Sequence, residues 1–192
     1  MAEIKAIVYE SNTGFTKGYA ELLSSIINVP AIPVIDNSMI FDKREAVIFL
    51  GWVCAGKING LRMAMLKYNP MIIAGVGMTP MSDRYAFTLA QQNSIDVPFY
   101  YLQGGLHREK LKGFYKMMFK LVARPILRKA EKGKSQLSEH EQQMVSLIKN
   151  GGSFVCRENL EDLIKKYEEV NSMLKMAYGR FMWLRRLNAC GV

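Results

Sequence analysis

Apolar and polar positions along this chain change period several times, and each change marks an element. Residues 4–9, Ile-Lys-Ala-Ile-Val-Tyr, form a short, apolar, β-branched run of the kind that makes a buried strand. Tyr19, Leu22, Leu23 and Ile26 then recur at helical spacing, so a helix follows at once. The alternation continues. Residues 31–35 read as a second strand, stopped by Asp36, Asn37 and Ser38, and residues 46–50 as a third, ending at Gly51. A helix is expected around Ile58, Leu61, Met65 and Leu66. Residues 71–76 predict a fourth strand ending at Gly77-Met78-Thr79-Pro80, residues 83–92 a helix, and residues 99–102 a fifth strand ending at Gly104-Gly105. Uncharged strand centres separated by helices predict an α/β fold, with a parallel sheet covered on both faces.

Beyond the fifth strand the pattern turns helical and basic. Phe114, Met117, Met118, Leu121 and Val122 stand at helical spacing, interleaved with Lys112, Lys116, Lys120, Arg124 and Arg128. Residues 106–134 therefore read as a basic amphipathic insertion, with Arg124-Pro125 expected to break or kink its helix. Ser138-Glu139-His140-Glu141 opens another helix as a capping box, and Lys149-Asn150-Gly151-Gly152 closes it. From Asn159 a longer helix runs through Leu160, Leu163, Ile164, Tyr167 and Leu174. It extends toward Tyr178, Phe181, Trp183 and Leu184, beside Arg180, Arg185 and Arg186. The whole reads as a single domain, 1–192, with C-terminal helices over 138–187.

The most informative chemistry lies in Ser11-Asn12-Thr13-Gly14-Phe15-Thr16, between the first strand and the first helix. The first amides of a helix have no partner within it, and its positive dipole end faces the preceding loop. Three hydroxyls add donors, and Gly14 lets the backbone approach an anion closely. Such a loop can hold a phosphate without a basic side chain. Serine and threonine before a helix also serve as plain caps, and spacing alone leaves both readings open. The loop fits neither G-x-x-x-x-G-K-[ST] nor G-x-G-x-x-G.

The loop matches [ST]-x-T-G-x-T from Ser11 through Thr16, and on these residues the chain resembles the flavodoxin-like superfamily, where the loop wraps the phosphate of FMN. The resemblance implies a doubly wound, five-stranded parallel sheet of order 2-1-3-4-5, with the ligand at the carboxyl ends of strands one and three. It implies FMN as cofactor. Ser11, Asn12, Thr13, Gly14, Phe15 and Thr16 would hold its phosphate. Gly51, Trp52, Val53, Cys54, Ala55 and Gly56, with Gly77, Met78 and Thr79, would contact its ring. Trp52 either backs the ring or caps the sheet. Lys57 either pairs with the ring edge or starts a helix in solvent.

Composition narrows the partners. A chain of 192 residues, 49% apolar and 22% charged, belongs with folded globular proteins. No apolar run approaches the roughly 18 residues of a membrane span. The chain enters a strand directly, so no signal peptide is expected and a cytoplasmic location follows. Cys54, Cys156 and Cys190 fit neither zinc spacing nor a disulfide framework, and His107 and His140 suggest no metal cluster. The net charge of +9 sets the chain apart from acidic electron carriers and steers it toward anionic surfaces.

Leu102-Gln103-Gly104-Gly105-Leu106, with the basic, aromatic stretch that follows to Arg128, adds a second resemblance. It looks like the menaquinone-dependent, flavodoxin-type protoporphyrinogen oxidases, which carry a similar insertion and pass electrons to quinone at the membrane. The expectation is an FMN-dependent oxidoreductase that passes electrons through the flavin, with a quinone or a redox protein as partner. Residues 106–134 either pack on the core or meet an anionic membrane surface. Nucleic acid ranks last, because no recognised module accompanies the bases. A flavin-free binding module on the same fold is the alternative of a different class. No side chain stands out as a catalytic acid or base.

Overall fold

The computed structural model describes residues 3–36, 44–111, 113–132 and 137–189. Asn37, Ser38, Lys112, Lys134 and Cys190 lie outside them, as do the side chains of Phe114, Met118 and Val122 and all side chains from residue 179 onward.

The central sheet has five parallel strands: β1 (Ala6–Glu10), β2 (Ala31–Pro33), β3 (Ala46–Cys54), β5 (Asn69–Gly77) and β6 (Phe99–Gln103). They lie side by side as β2-β1-β3-β5-β6, and the short β4 (Lys57–Ile58) pairs antiparallel with the end of β3. Register is set early, with Ile7 opposite Ile48 and Phe49 opposite Ile73. The strand centres carry apolar side chains on both faces because both faces are covered. Ile7, Ile48, Leu50, Ile72 and Ala74 point to one side, where Tyr19, Ala20 and Leu23 of α1 (Phe15–Ile27) and Leu163 of α6 (Glu161–Ala189) meet them. Ala6, Val8, Val47, Phe49 and Ile73 point to the other, against Leu61 and Ala64 of α2 (Leu61–Lys67). Alternation along each strand builds these two cores. On this second face α3 (Asp83–Gln92) lies along β6, burying Leu89.

The predicted third strand was too short. β3 runs on past Gly51 to Cys54 and turns back through Ala55 and Gly56, with Val53 opposite Ile58. Gly51 is a strand residue. A Cβ there would lie 2.5 Å from Asn59 O and 2.5 Å from the Ile58 side chain, so the returning chain demands a glycine. Ile58, expected in a helix, is in β4 instead, and the helix starts at Leu61.

A helical hairpin follows the sheet. Leu106 and Gly105 (β7, Gly105–Leu106) pair antiparallel with Gly152 and Ser153 (β8, Gly152–Ser153), enclosing α4 (Gly113–Lys132) and α5 (Glu139–Asn150) between them. Helix α5 begins on the expected capping box, Ser138 with Glu141, and ends on Gly151 at φ 72°. Helix α4 continues through Pro125, so the expected break does not occur there. Of the five apolar residues whose spacing predicted the helix, Met117 and Leu121 have described side chains, and the buried face is formed by others. Ala123 and Ala130 are buried and Phe119, Ile126 and Leu127 half-buried, whereas Met117 and Leu121 are more than half exposed. The small alanines let α4 approach α5, and Lys129 pairs with Glu141 across the two helices.

One side chain ties these parts together. The Tyr19 hydroxyl lies 2.7 Å from Gln103 O and 2.8 Å from Phe154 O, to which it donates, and it accepts from Asn159 Nδ2 at 2.7 Å. Burial pushes its pKa up to about 12, and burial also raises that of Tyr101. Tyr19→Phe is expected to cost about 1–3 kcal/mol in urea denaturation, since two carbonyls lose a shared donor. The native state holds the Tyr19 proton more tightly than the unfolded chain, whose tyrosines titrate near 10. That contribution is therefore complete below pH 10 and lost as pH rises toward about 12. The alkaline fall in stability should be shallower in Tyr19→Phe.

Candidate functional site

Open α/β sheets bind ligands in the crevice outside the carboxyl ends of their strands. Here that end carries the loop after β1, the β3–β4 hairpin, the loop after β5 and the turn from β6 into β7. They meet around a cavity of about 230 Å³. Asn12 and Thr13 line it from the first loop, Trp52, Val53, Cys54 and Ala55 from the hairpin, and Gly77 and Met78 from the third. Three segments distant in sequence therefore share one space.

The first loop caps α1 from Ser11, three residues before Gly14. Gly14 is the residue before α1, at φ 103°, and no side chain caps the helix there. Ser11 Oγ instead accepts the amide of Lys17 at 3.2 Å, keeping its own proton to donate. The amides of Phe15 and Thr16 belong to the first turn, which has no earlier carbonyl in the helix to receive them. No acidic residue stands in that turn to offset the dipole. The Phe15 and Thr16 side chains are buried, so their part is in placing the backbone.

Donor chemistry and shape both suit a phosphate here. Space beyond Gly14 is open, with the Lys110 ammonium, 3.6 Å from where a Cβ would project, the contact within 4 Å. Loop donors beside an apolar wall are a set that an anionic, partly apolar ligand would use.

The hairpin turn is tight. Ala55 at φ 49° and Gly56 at φ 75° are its two central residues, the arrangement of a type I′ turn. Trp52 is half-buried, and its carbonyl accepts from Asn59 N at 2.9 Å and Asn59 Nδ2 at 3.1 Å. Lys57 reaches Gln92 O at 3.5 Å, on α3. Gly77 packs closely on protein, since a Cβ there would come within 2.8 Å of the Tyr101 hydroxyl. That hydroxyl donates to Thr79 O at 2.8 Å, and Tyr85 meets the Tyr101 ring edge-on.

Not every expected residue faces the shared cavity. Ser11, Gly14, Phe15, Thr16, Gly51, Gly56 and Thr79 are not among its lining residues. Thr79 borders a separate cavity of about 250 Å³ beside Pro80, Ile126 and Met144. Sequence reasoning missed Gly105, Leu106, Leu111 and Phe119, which complete the lining. The Gly104-Gly105 pair was legible only as a strand end. Nothing in the spacing of Leu111 and Phe119 distinguishes them from the neighbouring apolar residues. His107 was missed as well: its ring stacks on Phe15 at 4.6 Å and 11°.

Among the described residues no group of three or more His, Cys, Asp or Glu is placed to hold a metal ion, and Cys54 and Cys156 are free thiols. His140 is exposed on α5. No described helix is long and apolar enough to cross a membrane.

No family model matches this chain, and no curated protein does. Among solved structures, one described as "Crystal structure of an hypothetical protein" is similar at 13% identity and a TM-score of 0.34, over 88% of this chain and 78% of that one.

Ala55 occupies a left-handed position that asparagine tolerates better. Ala55→Asn is expected to raise stability by about 0.5–1 kcal/mol, read as a higher urea midpoint at unchanged slope.

Proposed function

We propose that this protein is a flavodoxin-like redox protein that binds FMN non-covalently and passes electrons through it. One observation carries the reading: Asn12 and Thr13, the Trp52–Ala55 hairpin and Gly77-Met78 line the same cavity at the carboxyl edge of the sheet. The fold supports it. The central sheet is parallel, its strands lying as β2-β1-β3-β5-β6, and helices cover it.

Bound FMN supplies one- or two-electron transfer, and the chain supplies its environment. The α1 amides and the Ser11 and Thr13 hydroxyls orient the phosphate. Trp52 offers an aromatic surface, and the backbone of Val53, Cys54 and Ala55 offers polar groups to the ring edge. Leu106, Leu111 and Phe119 exclude water from the remaining wall. A cavity of about 230 Å³ is small for complete enclosure, so a ring held there would leave an edge open to a redox partner.

Freshly purified protein is expected to retain added FMN through gel filtration, with a structured flavin band. Thr13→Val should weaken binding about tenfold, the value of one hydrogen bond to a charged group. A protein that retains no added FMN overturns the reading and favours the flavin-free module.

A second reading concerns the partner. On α4, Met117 and Leu121 are exposed on the same face as Arg124 and Arg128, an apolar and basic stripe suited to an anionic membrane surface and a quinone acceptor. Co-sedimentation with vesicles rich in anionic lipid should fall by at least severalfold in Met117→Gln/Leu121→Gln and vanish on neutral vesicles. Equal binding by both proteins removes α4 from membrane attachment.

A further inference from the structure

Gln103 is the last residue of β6 and is only 6% exposed. Its amide Nε2 is buried and finds no hydrogen-bond partner among the described residues. No other described side chain buries a polar atom in that condition. A buried donor that has lost water and gained no acceptor lowers stability, and native folds rarely keep one without a use.

The backbone around this amide is fixed. Tyr19 donates to the Gln103 carbonyl at 2.7 Å, and Gln103 stands opposite Gly77 of β5. Trp52 of β3 stands opposite Val76, so Val53 follows beside Gly77, and a Cβ on Gly77 would lie 3.3 Å from that of Val53. Val53, Gly77 and Gln103 therefore form one row across three neighbouring strands, on one face at the carboxyl edge of the sheet. Val53 and Gly77 line the cavity between the loops, as do Gly105 and Leu106 just beyond Gln103. Gly77 brings no side chain to the row. Tyr101, two residues before Gln103 on the same face, sends its hydroxyl to Thr79 O. The unpaired amide thus stands in the row that borders the cavity.

We propose that the Gln103 amide binds the flavin ring, its Nε2 donating to a carbonyl or ring nitrogen on the polar edge of the isoalloxazine. This rests on the FMN reading above. The ligand supplies the acceptor that the fold does not, which restricts the ring to poses that bring one to Gln103. A planar apolar body without an acceptor leaves the amide unpaired and is bound less well.

Gln103→Met keeps the length of the side chain and removes both polar atoms. The test measures dissociation constants for FMN and riboflavin by flavin fluorescence, and the urea midpoint of the flavin-free chain, in this variant and the unmodified protein. Both flavins are expected to bind the variant about tenfold more weakly, because the ring they share makes the contact. The urea midpoint should hold or rise, since a buried unpaired donor is gone. Weaker binding at undiminished stability is a combination that a packing role does not produce. A lower midpoint, or failure to fold, would assign the amide to packing and overturn the proposal. Unchanged affinity for both flavins would also overturn it, with a buried water as the partner of the amide and the FMN reading left standing. A loss confined to FMN would put the contact at the phosphate and overturn the ring assignment. If the unmodified protein binds neither flavin, both readings fall.

Discussion

The end of β6 is where the chain leaves the sheet, and its backbone groups must find partners outside any regular ladder. The solution is a short relay. Gly104 N donates to Gly77 O at 2.7 Å, Phe154 N donates to Gly104 O at 2.7 Å, and Tyr19 joins Gln103 O, Phe154 O and Asn159 around one hydroxyl. That arrangement connects α1 to the two ends of the helical hairpin and to the start of α6. Because the loop at residues 11–16 is the beginning of α1, its angle to the sheet is set by this relay. Gly105 is part of the same constraint, since a side chain there would run into Gly152 O and the Phe15 ring.

Around that join the candidate site is assembled from parts with different physical roles. The amides of α1 bring directed polarity. The β3–β4 hairpin brings an aromatic residue and a bent backbone, held by a two-residue turn. Helix α4 brings Phe119 and closes the outer wall. Polar donors at one end and apolar walls at the other are what a ligand with a charged tail and a planar body requires.

Much of the sheet was legible because buried parallel strands leave a strong trace: β1, β5 and β6 are continuous apolar runs ended by glycine or a polar residue. Helix α3 was legible from its bounds, and α5 from its capping box. Other features depended on tertiary contacts. β3 continues through Gly51 because the chain after Ala55 folds back onto it, and a glycine that ends a run looks the same as one that admits a neighbour. The sequence left open which apolar residues of α4 pack on the core, because they stand on more than one side of it. Burial there follows Ala123 and Ala130, whose small size permits approach to α5. Of the Ser11–Thr16 motif, Asn12 and Thr13 reach the cavity. Lys110 and His107 were not legible, because they reach the loop through a turn whose direction no local pattern specifies.

The pairing of β7 with β8 has a kinetic consequence. Two residues on each strand hold the base of a segment that includes both α4 and α5. Such a ladder opens at far less cost than the five-stranded sheet, so the hairpin belongs to the part of the molecule that exchanges its amide hydrogens by local opening while the rest stays folded. Leu111 and Phe119 move with it. A ligand seated beneath them would then leave by opening of this hairpin while the sheet stays folded.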